Sequence, residues 1–544
     1  MDPKQISRRN FIKSIMLSSI CGGLPLDILA KSSEPSFNYI QINFAGGPAR
    51  WLFDNPIAPK KTSKFGKHQM IVNSFDNAGS SAKISSLNYK TENISGWQMP
   101  YFWKNELSLD GKSVQASSLL DNCLIVRGCH MRNDGHSLNN RKLSAPTPGH
   151  LSIPGMLADN MKDKIFPAVN LVGDSGVAGV AGGTFRSVGQ AIQIDTPQNH
   201  KDPFSYLIKP FLSLGNMKGE WSGLIETELG DNFKNDYFKM QQRYNNLVKK
   251  YKLIIERNIV ADGMVNIGER KVQPISNFTN GNFTEDHAKY LNHDYLVCNN
   301  DMRTMLSTAK IEGLAEQFAT TEVLVTEGLC GNISINVNTI SNLYYENSYK
   351  KDSVFRKING IGDTKFTFKS SEKPYTGSKK ENSFQLDSHD TGLLPNLFLN
   401  YALYKSVSAC MAQLKLSLIK SKQYEKTLIH LASEFDRDPR PDCSGSEHGW
   451  NGHISSFYSG AIKGLKVIGN TYIQSPGESY YKENGTWGQG APVKELGNRP
   501  IVYGNIASSI ADILGVKTPS ENDKPIFYKE KGIIKTLIDE VDNV

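Results

Sequence analysis

Short apolar runs that end in small or polar residues recur along this chain, separated by stretches with three-and-four spacing. The first, NYIQINF at 38–44, runs into Ala45-Gly46-Gly47. LDNCLIVR at 120–127, FPAVNLV at 166–172, GNISINV at 331–337 and KTLIHLAS at 426–433 have the same character. Residues 230–257, 301–326, 393–421 and 504–514 read as helices. In the first of these, Phe233, Tyr237, Met240, Tyr244, Leu247 and Tyr251 recur at spacings of three and four, a stripe suited to core or helix-pair packing. Strands this short must find partners far away in sequence. Their alternation with helices predicts an α/β fold, a mostly parallel central sheet with helices on both faces.

The length suits one large α/β domain over 31–544, enlarged by a helical insertion at about 202–300 and a polar one at about 340–385. No internal repeat is visible. Hydrophobic residues at 39% and charged residues at 21% allow a packed core and exclude global disorder. No apolar run reaches the roughly 18–20 residues of a membrane span, so no stable transmembrane segment is expected. The formal charge is +8, from 62 Lys and Arg against 54 Asp and Glu. These cations form no stripe, which argues against nucleic acid as a partner. Gly360-Ile361-Gly362-Asp363 is too short for a phosphate-binding loop and follows no clear strand.

The first thirty residues read as an export address. Lys4, Arg8, Arg9 and Lys13 precede a weakly apolar stretch from Ile15 to about Leu29, then Ala30. Ser7-Arg8-Arg9-Asn10-Phe11-Ile12-Lys13 matches the twin-arginine pattern, with the aromatic two places after the second Arg. Export by the twin-arginine translocase to the periplasm or surface of a bacterium is therefore expected. Losing residues 1–30 removes those four cations together with Asp2 and Asp27, which leaves a formal charge of +6. Six of the seven Cys remain, with no CxxC spacing; Cys123 and Cys330 read as core residues, and no disulfide pairing follows from the sequence.

In open α/β sheets, sites lie beyond the carboxyl ends of the strands. There the chain concentrates carboxylates and imidazoles. Leu386-Asp387-Ser388-His389 sets Asp387 and His389 at i and i+2, on one side of an extended segment. Ser433-Glu434-Phe435-Asp436-Arg437 repeats that spacing with two carboxylates, and Glu447, His448 and His453 follow. Such a set suits one or two hard or borderline divalent cations: Zn, Mn, Mg or Ca.

SEFDRDPR followed by SEHGWNGHISSFYSGAIKGLKVIGNT resembles a signature of exported bacterial proteins: a strand ending in S/T-E-F-G-R, then an Asp-His pair and a Gly-rich strand turn. LDSHDTG and PIVYGNIASSIADILGV resemble the same family's D-x-H segment and C-terminal helix. It is an uncharacterised, commonly twin-arginine-exported family, the fifteen-oh-one type of domain of unknown function, in the alkaline phosphatase and sulfatase superfamily. The resemblance covers 300–340 and 386–515 best, and 38–47 and 120–160 loosely.

It implies an alkaline-phosphatase-like three-layer sandwich whose active members cleave small-molecule or polymer phosphate or sulfate esters with metal ions and a Ser, Thr or Cys nucleophile. By position, Asp387, His389, Glu434, His448 and His453 match metal-binding or adjacent places, and Arg437 closes the E-F-x-R motif. Two departures stand out. Glu447 replaces an Asp, and the loop after the first strand lacks the expected Asp unless Asp54 serves. Ser152 and Thr147 are the nucleophile candidates, with Ser152 also well placed to cap the helix that starts at Ile153. His130, His136 and His150 are candidates to line the same cleft. The alternative is a degenerate member that keeps the fold as a binding or structural protein with an envelope partner. A third option, glycan binding through Trp450, Trp487, Tyr480 and Tyr481, rests on those aromatics alone.

Overall fold

A computed structural model describes residues 37–56, 86–87, 91–133, 135–146, 151–161, 164–171, 185–189, 191–197, 201–214, 230–259, 270–271, 306–337, 340–342, 386, 393–439, 446–448, 452–472 and 489–538. The strands of its central sheet are β1 (Asn38–Phe44), β2 (Asn122–Cys129), β3 (Ala168–Leu171), β4 (Gln193–Asp195), β5 (Asn332–Val337), β6 (Thr427–Ser433), β7 (His453–Tyr458) and β8 (Gly464–Ile468). Their spatial order is β8-β2-β7-β6-β1-β5-β3-β4. β7 is antiparallel to both of its neighbours, and every other pairing is parallel. The helices used below are α1 (His136–Lys142), α2 (Ile153–Asn160), α3 (Pro203–Leu214), α4 (Gly230–Ile259), α5 (Leu314–Thr326), α6 (Leu393–Lys420) and α7 (Tyr503–Leu514).

Two apolar layers sandwich the sheet, so the protein has the α/β architecture the alternation predicts. Ile40, Ile42 and Phe44 of β1 point into one core with Phe318 of α5, Tyr251 of α4 and Tyr404 of α6. Tyr39 faces the other, with Leu157 of α2 and Ile506 and Ile510 of α7. Each such buried aliphatic or aromatic side chain contributes about 1.5–3 kcal/mol by leaving water.

Most element edges fall within two or three residues of the sequence expectation. The helix expected over 301–326 is shorter. Gly313 has φ 72, a left-handed conformation that stops helix propagation, and α5 begins after it. Residues 310–311 instead pair with 340–341 as a short antiparallel ribbon. The expected helical insertion at 202–300 includes α3 and α4, and Tyr244, Leu247 and Tyr251 of α4 are buried in the first core. Of the polar segment at 340–385, 343–385 lies outside the described residues. Cys123, Cys129, Cys330 and Cys410 are buried free thiols, and burial pushes Cys330 up to about 12. Among the described residues no helix is long and apolar enough to cross a membrane.

A polar row crosses the face that carries Tyr39. Gln41 Nε2 donates to Asn43 Oδ1 (2.8 Å), Asn43 Nδ2 to Asn336 Oδ1 (3.4 Å), Asn336 Nδ2 to Asn170 Oδ1 (3.1 Å) and Asn170 Nδ2 to Asp195 Oδ1 (2.9 Å). These residues lie on β1, β5, β3 and β4, so one chain of amides spans four adjacent strands and ends on an exposed carboxylate. Buried amides need such partners, because an unmet one costs about 1–3 kcal/mol.

Candidate functional site

The site forms where β1 and β6 end side by side. β1 leaves the sheet through Gly46 (φ 96) and Gly47 (φ 66), conformations that favour glycine. A Cβ on Gly47 would sit 2.9 Å from Phe435 Cβ, so the tight approach of the two loops also demands glycine. The loops are laced together. Buried Arg437 donates from Nε to the Gly46 and Gly47 carbonyls, both at 3.0 Å, and from Nη2 to Gly46 O at 2.7 Å. In return, Gly46 N–H donates to Glu434 Oε1 at 2.5 Å.

Glu434, 1% exposed, also meets His136 Nδ1 at 3.1 Å. His136 opens α1 and its side chain is 23% exposed, so the pair joins a buried carboxylate to a partly accessible imidazole. Its ring stands edge-on to Phe435 (centroids 4.9 Å) and to His448 (4.7 Å). His448 lies flat on Phe435 at 4.0 Å and 7°. The backbone places it there through a two-stranded ribbon pairing Arg437 with His448 and Asp438 with Glu447.

Beneath these loops lies a second charged cluster. Arg50 and Asp54 form a fully buried ion pair, with Arg50 Nε on Asp54 Oδ1 at 2.6 Å. Asp54 Oδ2 also accepts from Ser456 Oγ (2.6 Å), and Arg50 reaches Ser433 Oγ (3.4 Å). Asp436 Oδ1 accepts from Arg50 N (2.9 Å) and Arg437 N (3.0 Å). Burial pushes the Asp436 carboxyl up to about 7, against the pull of the Arg50 charge.

The other sequence candidates fall as follows. Ser152 is buried and caps α2: its Oγ accepts from Gly155 N (3.0 Å) and Arg186 N (2.9 Å) and donates to Arg186 O (3.3 Å). His453 is buried at the start of β7, its Nε2 3.4 Å from Ser455 Oγ. His130 Nδ1 accepts from Arg132 N at 3.0 Å. Thr147, His150, Asp387, His389, Trp450, Trp487, Tyr480 and Tyr481 lie outside the described residues, as does the side chain of Glu447. Among the described residues no three His, Cys, Asp or Glu side chains are grouped so as to hold a metal ion. Arg50 is paired with Asp54, and Glu434 accepts from Gly46 N–H and meets His136.

Sequence reasoning passed over two participants. Arg50 stands four residues before Asp54, a spacing that signals an ion pair in a helical turn. His430, the one ionisable residue in the run TLIHLAS, is buried within β6, and its Nδ1 meets Tyr39 Oη at 2.8 Å.

No protein-family model and no curated protein matches the chain. Among solved structures, it is similar to the PsFucS1 sulfatase from Pseudoalteromonas sp., at 10% identity and a TM-score of 0.27, covering 98% of this chain and 81% of that one. It is also similar to Ps i-CgsB in complex with k-i-k-neocarrahexaose, at 9% identity and a TM-score of 0.28 over 92% and 81% of the two chains. A mutant of the alkaline phosphatase PafA follows at 9% and 0.20, over 74% and 64%. At scores this low the likeness carries no conclusion about chemistry, which must come from the residues themselves.

The arrangement has defined chemical capacities. A carboxylate that holds one nitrogen of an imidazole fixes the orientation of the ring, a requirement for proton transfer to or from a substrate oxygen.

Proposed function

We propose that this chain is an exported hydrolase of phosphate or sulfate esters in the alkaline phosphatase and sulfatase superfamily. The observation that carries the proposal is the His136–Glu434 pair at the carboxyl end of the central strands, 3.1 Å apart and held by the Gly46 loop. In this reading His136 moves the proton, Glu434 orients it, and Arg437 keeps the Gly46-Gly47 loop in place. A divalent cation (Zn, Mn, Mg or Ca) would need Asp387 and His389 to complete a set with Glu434 and His448. Export through the twin-arginine translocase to the periplasm or cell surface belongs to the same proposal and rests on residues 7–13.

The test is direct. Purified protein is assayed on aryl sulfates and aryl phosphates, with and without added divalent cations, and its metal content is measured. Turnover that His136→Ala abolishes supports the reading; no turnover with any cation ends it.

A second reading has its own observation. The Asp54 carboxylate after β1 is locked to Arg50, and the Ser152 hydroxyl is occupied as a helix cap. A protein that retains the fold but binds esters without cleaving them would look this way. Saturable binding of a sulfated or phosphorylated ligand without turnover would favour it.

A further inference from the structure

The row of amides across β4, β3, β5 and β1 ends at Gln41 with one group left over. Asp195 accepts, so Asn170 turns its Nδ2 toward it, and Asn336, Asn43 and Gln41 follow in the same sense. Asn336 is oriented a second time, because its Nδ2 also donates to Leu171 O at 3.0 Å. Gln41 therefore spends its Nε2 on Asn43 and turns its Oε1 off the row. Gln41 is 1% exposed, and among the described residues that oxygen has no hydrogen-bond partner. Its neighbour on β6, His430, has both ring nitrogens engaged, with Tyr39 Oη and Ser455 Oγ. Its neighbour on β5 is Ser334.

Ser334 marks an opening. The other five residues of β5 are buried, but Ser334 is partly exposed, although β3 and β4 lie between β5 and the sheet edge. Solvent thus reaches the middle of the sheet on the face that carries Gln41. α2 packs on this face over the start of β5, where Asn332 Nδ2 donates to Pro154 O at 2.7 Å. Further along the strands the side chains on this face are polar: Gln41, Asn43, Ser334, Asn336 and Asn170. Asn43 is the register partner of Ala432, and Glu434 stands two residues beyond Ala432. The polar patch therefore adjoins the His136–Glu434 pair, roughly 7 Å along the strand direction.

The hydrogen-bonding inventory selects the ligand. An uncommitted acceptor at Gln41 Oε1 repels an anion. The carboxylate of the row, Asp195, lies three strands away and already takes Asn170 Nδ2 and Gln193 Nε2 (2.8 Å), so a cation gains little at Gln41. A hydroxyl group suits both needs. It can donate to Gln41 Oε1 and accept from the second amide hydrogen of Gln41 or Asn43, or from Ser334 Oγ. Such groups recur at the spacing of adjacent strands, about 4.8 Å. A ring that bears several hydroxyls can meet that spacing and a single alcohol cannot.

We infer that Gln41 and Ser334 form a subsite for a neutral sugar ring, with one ligand hydroxyl donating to Gln41 Oε1. The inference rests on the ester-hydrolase reading only in taking that sugar as the alcohol part of the substrate; sugar binding stands apart from it.

The full chain is titrated with the methyl glycosides of glucose, galactose and mannose, with no ester present, by saturation-transfer NMR and calorimetry. Wild-type protein should bind at least one of them saturably. Gln41→Met keeps the length of the side chain and removes the acceptor, so binding should weaken roughly fivefold, the loss of one neutral hydrogen bond. Ser334→Leu fills the opening and leaves every hydrogen bond of the row in place, so binding should vanish while the circular dichroism spectrum is retained. That variant keeps the test decisive if Gln41→Met folds poorly. No saturable binding of any of the three glycosides, as for a pocket that takes water only, overturns the inference. So does binding that is unchanged in Ser334→Leu or in a folded Gln41→Met, which would seat the sugar elsewhere. Sugar binding of the expected pattern without ester turnover defeats the hydrolase reading alone; ester turnover without sugar binding defeats this inference alone.

Discussion

Arg50 and Asp54 form a salt bridge with no solvent exposure on either side, directly beneath the loops that carry Glu434 and Arg437. Attraction between buried charges offsets their desolvation only while both are present. Asp54→Ala should therefore cost about 3–5 kcal/mol, because it strands the guanidinium. The double variant Arg50→Met with Asp54→Leu should recover much of that loss. Denaturant unfolding of the wild type and both variants checks this.

Glu434→Gln separates the two tasks of Glu434. The amide oxygen still accepts from Gly46 N–H, so the loop should hold. The negative charge that orients and polarises His136 is gone. If the protein turns over esters, kcat should fall by about 10²–10⁴ with little change in melting temperature, the usual range for impaired acid–base catalysis.

Ser152→Ala distinguishes a helix cap from a nucleophile. Loss of the cap should cost about 1 kcal/mol of stability. Because Ser152 Oγ already serves Gly155, Arg186 N and Arg186 O, the variant should retain most of any ester turnover. Complete loss of activity in a well-folded variant would make Ser152 the nucleophile after all.

Gly47→Ala should distort the site from the backbone. Its φ of 66 and the 2.9 Å approach to Phe435 leave no room for a methyl group. A strained position of this kind costs about 1–3 kcal/mol. Melting temperature and turnover should fall together.

Asp436, pushed up to about 7, adds stability on acidification, and the two buried histidines, His430 and His453, work against it. Both have folded pKa values below the ordinary 6.5, His453 down to about 3. The unfolded chain therefore takes up these protons first as pH drops. Their contribution to stability is complete above about pH 6.5 and is lost as pH falls from there toward 3. Denaturant midpoints measured at pH 7 and pH 5 should fall on acidification, and His430→Phe should flatten that slope.

Much of the sheet is legible in the sequence because short apolar runs bounded by Gly and polar residues have few other uses. The reversed direction of β7 is not, since HISSFY reads the same in either sense and only the return from β6 decides it. α5 is overestimated from the apolar pattern because one glycine, Gly313, sets its start. At the site, Glu434, Arg437 and His136 are each readable as chemistry-bearing residues. Their association is not: 298 residues separate His136 from Glu434. The polar alternation within NYIQINF and NISINV was visible as a strand period. Its meaning emerges only when Asn43, Asn336 and Asn170 stand side by side.

That row of amides also solves a problem of identity among the strands. Runs of Ile and Val slide past one another at little cost, so an apolar sheet has many nearly equivalent alignments. Asp195 can only accept, which dictates the orientation of Asn170, then Asn336, then Asn43, then Gln41. Move β5 by one residue and Ile335 or Val337 stands opposite Asn43; move it by two in one direction and Ser334 stands there. Every wrong alignment strands several amides at about 1–3 kcal/mol each. The row works as a key cut across four strands, and a single surface carboxylate determines which way it turns.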